Sequence, residues 1–424
     1  MTDAPCQPAI SILTHELECG ALLLMEPNPS VRSVAISWWL AAGTAHDPAG
    51  SESDGLAVMA GELLERGAGG LDSRAFNEKL DALGVLRELS INSTVTRLGA
   101  SLRGEHLLST IDLLADLLLR PTLPADAMEP IRSLCLQSLD GLADDPAARA
   151  GVALHRRALP APLNRSSYGS RSVIEQMDIE TIRSAWAERC RPRGSIIAVA
   201  GALEPQVLID RFEKVLGGWT GAPPALPTIT APLGGDEHLH QASSQVHLEM
   251  GFQGPLVDHE DELPFLAGIR ALGSGASSRL FESVRERHGL CYDVHASYSA
   301  NRHFGLCNIG AGTTPERISQ TIDCIFEELA GFGRDGIMVE EFDRVRRGLK
   351  TRLLMQGEST SVRAFALARD QHQRGMPRSL SMISDRIDAL THQQVDSVVR
   401  GRMDASWMQN PVRIAVGPES PFKS

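Results

Sequence analysis

Arg285 and Tyr292 stand seven residues apart. Leu280, Phe281 and Val284 before them make one apolar helix face, Gly289 marks the helix end, and Tyr292, Val294, Ala296 and Tyr298 then alternate as a strand. A guanidinium leaving the last turn of a helix can donate charge-assisted hydrogen bonds to carbonyl oxygens. A phenol at the start of the next strand can donate to a developing oxyanion. The plainer reading is a surface ion-pair arginine and a core tyrosine. Glu62 and Glu65 are three apart in a helical pattern and could hold a hard cation weakly, although a solvated acidic face explains them as well. His238 and His240 form an H-x-H pair, with His247 further on, but no cysteine or acid completes a ligand spacing. There is no phosphate-binding G-x-x-x-x-G-K-[ST] loop and no G-x-S-x-G elbow. Gly273 and Gly275 of the "GSGAS" run read as a helix entry turn.

The elements that must position these residues follow from pattern. Val31–Leu40 is a β-branched and aromatic run, and Gln245–Phe252 alternates; both predict strands. Asp72 reads as a helix N-cap, Phe76, Leu80 and Leu83 as one apolar face, and Gly84 as the stop. An internal repeat organises the whole. "TID" at Thr110–Asp112 echoes "TID" at Thr321–Asp323, and helical patterns near Pro124 and Met338 follow. Segments around Asp178 and Asp388 correspond, and each half closes on a strand, Ser195–Gly201 or Val412–Gly417. The offsets all lie at roughly 210–216 residues, too long a unit for a solenoid. The proline- and glycine-rich run 220–236 reads as a linker. The expected organisation is therefore a domain at 8–219 and a second at 237–420. Each is α+β, with helices packed on a largely antiparallel sheet.

Composition narrows the function classes. The 424 residues are 42% hydrophobic and 22% charged, as in ordinary globular proteins, and the net charge of -12 disfavours nucleic acid. Arg344, Arg346, Arg347 and Lys350 sit among acids in a helical pattern and read as a solvated helix face. Seven cysteines, Cys6, Cys19, Cys135, Cys190, Cys291, Cys307 and Cys324, form no CxxC pair, which fits reduced thiols. No secretory pattern is visible in residues 1–15, and no apolar run reaches the ~18 residues of a membrane span. A cytoplasmic location without membrane contact is the expectation.

Two stretches carry a family likeness. Residues 41–84, AAGTAHDPAGSESDGLAVMAGELLERGAGGLDSRAFNEKLDALG, resemble the part of pitrilysin/insulinase and mitochondrial-processing-peptidase subunits that holds the inverted zinc motif G-L-A-H-x-x-E-H. Residues 274–298, SGASSRLFESVRERHGLCYDVHASY, resemble the second-domain pattern S-R-L-x-x-x-x-R-x-x-x-G-L-x-Y. With Gly55-Leu56-Ala57 in register, Val58 stands at the first histidine, Gly61 at the glutamate and Glu62 at the second histidine. Before the Asp144-Asp145-Pro146 mark, where the family places its third ligand, stand Gln137, Ser138 and Leu139, with no carboxylate. One carboxylate cannot hold Zn²⁺, which takes three or four ligands. The short Gly273–Ala276 segment lacks the long glycine-rich loop of the processing-peptidase α-subunit, which points away from presequence processing.

The resemblance implies a duplicated, bowl-like arrangement of the two domains and a subunit with no catalytic residue or cofactor of its own. A homologous zinc-bearing partner would supply the metal and base in a heterodimer. Arg285 and Tyr292 would reach the peptide or unfolded polypeptide held near that zinc. Two other readings stand beside it: a pure scaffold, like the core subunits of a respiratory complex, and an active peptidase with a relocated metal site.

Overall fold

Alternating and β-branched runs assemble into two sheets in the computed structural model, which describes residues 11–48 and 54–422. Cys6, the first residues of the expected first domain, and residues 49–53 of the acidic loop lie outside them. The first sheet contains β1 (Leu13–Glu16), β2 (Leu22–Pro27), β3 (Ser33–Leu40), β4 (Leu86–Ile91), β5 (Thr96–Arg103) and β6 (Ile196–Gly201). Their order is β1-β2-β6-β3-β5-β4, and every pairing is antiparallel except β2 with β6. The second contains β7 (Asp236–His240), β8 (Val246–Gln253), β9 (Cys291–Ala300), β10 (Gly305–Thr313) and β11 (Val412–Gly417), in the order β7-β11-β8-β10-β9. Here only β7 with β11 is parallel. Setting β2, β6, β3, β5 and β4 against β7, β11, β8, β10 and β9 superimposes the two orders, so the sequence repeat is a repeat of topology.

The helices begin and end where side-chain chemistry says they should. Asp72 accepts from Ala75 N at 2.8 Å and starts the helix Ser73–Ala82, whose buried face is Phe76 and Leu80. Asp145 accepts from Ala148 N at 3.0 Å with Pro146 at the first helical position, so the Asp-Pro mark is a helix start. Asp178 caps Ile179–Arg189 in the same way, and Thr391 with Gln394 forms a capping box on His392–Arg402.

The strands follow the repeat, but two helices do not stay with their own half of the sequence. The two compact units comprise residues up to 135, 167–226 and 353–383 in one, and 136–166, 227–352 and 384 onward in the other. Helix Thr360–Arg374, from the second half, packs on β3 and β6 of the first sheet. Its Leu367 and Ala368 join Leu24, Trp39, Val95, Ile196 and Ala198, while Ala364 meets Ala35 and Ala200. Helix Pro146–Ala158, from the first half, packs on β8 and β11 of the second sheet. Its Ala150, Ala153 and Leu154 meet Val412, Ile414 and Val416. The two faces have the same i, i+3, i+4 spacing of small and aliphatic residues, so equivalent helices of the repeat are exchanged between the sheets. A cut at residues 220–236 leaves each helix with the wrong sheet.

A buried ion pair fixes the first of these helices. Arg363 donates from Nε to Glu26 Oε1 at 2.9 Å and from Nη2 to the other oxygen, and both residues are buried. Glu26 lies on β2, so the pair ties the exchanged helix to a strand from the other end of the sequence.

Candidate functional site

The helix Leu56–Leu64 carries Val58, Gly61 and Glu62, the positions that the sequence sets in register with the inverted zinc motif. It is held at its start by Asp47, whose carboxylate accepts from Ala57 N at 3.2 Å and receives Arg189 Nη1 at 2.6 Å with both partners buried. Nothing in the sequence pairs Asp47 with Arg189, which lies 142 residues on. Val58 is half-buried and offers no donor. Gly61 is buried, and a Cβ there would stand 2.3 Å from Ile91 Cδ1 on β4. The tip of the Ile91 side chain stands where that Cβ would be. Glu62 is half-buried, and burial followed by the charge of Glu65 raises its carboxyl above the usual range. Its neighbour Cys135 is pushed up to about 11 by burial and by that carboxylate. This donor set does not suit Zn²⁺. Glu65 in turn pairs with Arg87 at 3.1 Å, so Glu62 and Glu65 do not form a shared cation site. Among the described residues no group of three or more His, Cys, Asp or Glu side chains is placed to hold one metal ion.

The H-x-H pair is bound by backbone. His238 lies 3.0 Å from the carbonyl of Gly417 and His240 lies 3.1 Å from that of Pro418, each through a ring nitrogen. Gly273 closes the helix Glu262–Gly273 instead of opening one, and a Cβ there would strike Ala296 N at 2.3 Å.

Arg285 and Tyr292 fall on the elements expected, with two differences. The helix carrying Arg285 widens to a π-turn over Phe281–Arg287, a local irregularity common at functional sites. Its guanidinium lies 4.7 Å from the centre of the Phe281 ring and 3.9 Å from Glu286, and 41% of the side chain is exposed. Tyr292 departs from the alternation because β9 carries a bulge. Thr313 pairs with Cys291 and Gly312 with Asp293, leaving Tyr292 as the extra residue. The bulge separates Tyr292 from the buried face of Val294 and Ala296 and lays its ring across Gly312, where a Cβ would stand 2.3 Å from Cζ. The Tyr292 hydroxyl lies 3.3 Å from His247 Nε2, and the two rings meet edge to face at 6.2 Å. Arg285 and Tyr292 are not bonded to one another; the arginine's charge reaches Cys291, the residue before the tyrosine.

Tyr292 is one member of a polar group that sequence reading found only in part. His247 and Glu249, two apart on β8, share a sheet face with His295 of β9, whose ring lies over Gly310. A Cβ on Gly310 would stand 2.8 Å from His295 Nε2 and 2.9 Å from Glu249 Oε1, so this glycine makes the close approach possible. Burial raises the Glu249 carboxyl, against the opposing effects of His295 and a hydrogen bond from Asn308, and its Oε2 has no partner. Burial lowers His247 and raises Tyr292, so the imidazole is neutral and the phenol keeps its proton near neutral pH. The period-two spacing of His247 and Glu249 was available in the sequence, but the glycines that admit His295 and Tyr292 acquire meaning only from register.

Glu249 gives a pH test. A carboxyl whose folded pKa is raised contributes stability that is complete below its unfolded pKa and is lost as pH rises through the folded value. Glu249→Gln should therefore melt higher than wild type, by roughly 2–4 °C at pH 7, with the difference shrinking as pH falls toward 4. Melting curves across that range check it; a constant difference would show that the carboxyl is not shifted.

The chain's relatives come from sequence and from fold. Residues 176–349 match the family described as the peptidase M16 inactive domain. An uncharacterised zinc protease of Bacillus subtilis, YmxG, is 25% identical over 92% of this chain and 95% of its own length. A peptidase M16 inactive domain from Pseudomonas fluorescens shares the fold at a TM-score of 0.85 and 21% identity, covering 98% of this chain and 99% of that one. A chain of complex III2 from Candida albicans does so at 0.80 and 14% identity, covering 96% of each.

Proposed function

Because residues 176–349 are a peptidase M16 inactive domain and the chain resembles a zinc protease along its length, we propose that it is the non-catalytic, substrate-binding subunit of a two-subunit zinc peptidase acting on peptides. The observation that carries this reading is Gly61 packed against Ile91. A glutamate there would need the partly exposed Ile91 side chain to shift, and the glycine itself offers no base. The partner in this reading is a homologous chain with an intact H-x-x-E-H helix, which supplies the zinc and the base.

Arg285 and Tyr292 would present donors to the bound peptide from the second unit. The substrate would be taken as an added strand, where backbone hydrogen bonds give affinity with little sequence preference. No helix among the described residues is long and apolar enough to cross a membrane, and the cytoplasm is the compartment proposed.

The test begins with the chain alone. After dialysis it should retain no stoichiometric zinc and cleave no peptide, and it should co-purify from its native host with a zinc-bearing relative. A permanent interface of this kind tends to exceed about 2,000 Å² and should survive gel filtration. One zinc per chain, or peptide cleavage by the isolated chain, would overturn the assignment. A scaffold reading is favoured by the fold shared with a chain of complex III2; it is separated from the first by the Tyr292 substitution discussed below.

A further inference from the structure

A cleft of about 200 Å³ opens between the end of helix Glu262–Gly273 and the helix Val339–Gly357. Arg270, Arg344 and Arg352 line it together with Ser274, Ser277 and Ser278, and no acidic residue is among its lining. Arg344 and Arg352 are eight apart on the second helix and so face the same way, two turns from each other. In a chain of net charge -12, three guanidiniums without a carboxylate are conspicuous. Two other cations of that helix are paired, Arg346 with Asp343 at 3.5 Å and Lys350 with Asp388.

Two polar atoms in this cleft are buried and unsatisfied. Arg270 Nε and Ser278 Oγ have no hydrogen-bond partner, and a buried donor left unpaired is destabilising. Arg344 is already oriented, donating from Nη2 to the Ser277 carbonyl at 3.1 Å. Burial and the nearby positive charge of Arg352 lower the Arg270 guanidinium's affinity for its proton, a repulsion that a bound anion would relieve. Arg344 is exposed, as a solvated helix face requires, and the fold also sets it at the rim of the cleft that Arg270, 74 residues earlier, lines.

We propose that this cleft is a binding site for a phosphate-bearing anion, with Arg270, Arg344 and Arg352 around its oxygens and Ser278 donating from the buried side. The match is one of charge and geometry. A phosphate dianion balances more of the three positive charges than a carboxylate can, and its tetrahedral oxygens accept from several planar guanidiniums at once. The volume is several times the ~30 Å³ share of a water molecule, enough for phosphate with a small organic substituent. The site lies wholly in the second unit and does not depend on the peptidase reading.

Calorimetric titration of the full chain with inorganic phosphate, and separately with glycerol phosphate, tests it at constant ionic strength against sodium chloride and sodium acetate. We expect saturable one-to-one binding of phosphate, and weakening by about tenfold or more in Arg270→Gln and in Arg352→Gln, as loss of a charge-assisted bond implies. Arg346→Gln, whose guanidinium pairs elsewhere, should stay within about twofold of wild type. Tighter binding of glycerol phosphate than of phosphate would identify an organic phosphate as the ligand; equal affinity would identify the free ion. Heats no larger than those of matched chloride, acetate binding as tight as phosphate, or unchanged affinity in Arg352→Gln would overturn the proposal. Arg352 is exposed, so its variant carries the test even if Arg270→Gln fails to fold.

Discussion

In a complex with the zinc-bearing partner proposed for it, Tyr292→Phe in this chain should lower kcat/KM by about 10²–10³ while leaving the partner's zinc content unchanged. The magnitude is that of one preorganised donor to a developing oxyanion, about 3–4 kcal/mol. The phenol satisfies the chemical requirement, because partial burial and the charge of Asp293 keep it protonated. It is also within reach of solvent and ligands, with 45% of the residue exposed. Phenylalanine keeps the ring over Gly312, so packing is retained and only the hydroxyl and its contact with His247 are lost. That neutral hydrogen bond is worth about 1 kcal/mol, a small shift in melting temperature beside the loss of rate. Arg285→Ala should raise KM as well, by the roughly 1.5–3 kcal/mol of a charge-assisted bond to a substrate carbonyl. Its present contacts, Phe281 and Glu286 at 3.9 Å, are weak ones to break. If both variants assemble and cleave within about threefold of wild type, the two residues are structural and the scaffold reading stands.

A second large effect is expected at the ion pair that secures the exchanged helix. Arg363→Ala should destabilise the first unit by about 3–5 kcal/mol, because it leaves the Glu26 carboxylate buried without its bidentate partner. The double variant Glu26→Leu with Arg363→Met should recover most of that loss, since matched apolar replacement removes the charge and its desolvation together. Denaturant unfolding followed by two probes measures both, with separate transitions for the two units analysed separately. A loss under about 1 kcal/mol in Arg363→Ala would show that water reaches Glu26 and that the pair does not anchor the helix.

The two predictions differ in how far each could be reached from the sequence. Tyr292 is legible as a candidate because its register in the S-R-L and G-L-x-Y frame is local, spanning one helix and one strand start. The bulge that turns it toward His247 was not found, because a bulge is a mismatch between two strands and has no mark on either one alone. Glu26 and Arg363 are 337 residues apart, and neither has a sequence neighbour that predicts the other. Glu65 resembled half of a cation site until β4 placed Arg87 against it.

By itself the sequence determined what depends on short-range order. Asp72, Asp145 and Asp178 mark helix starts because a cap is satisfied within three residues. The repeat marks two sheets of one topology because alternation and helical period are local properties. Val58 and Gly61 offer no metal ligand and no base by residue type alone. Only the tertiary structure decided which sheet each helix covers. An i, i+3, i+4 stripe such as Ala150, Ala153 and Leu154 specifies that a face must be buried, and two sheets built to one plan offer nearly the same surface to it. The choice between them is made by long-range partners: Glu26 for the helix carrying Arg363, and Val412, Ile414 and Val416 for the helix carrying Leu154. The same holds for Ile91 against Gly61 and for the three arginines of the cleft, whose meaning lies in distances that no spacing along the chain records.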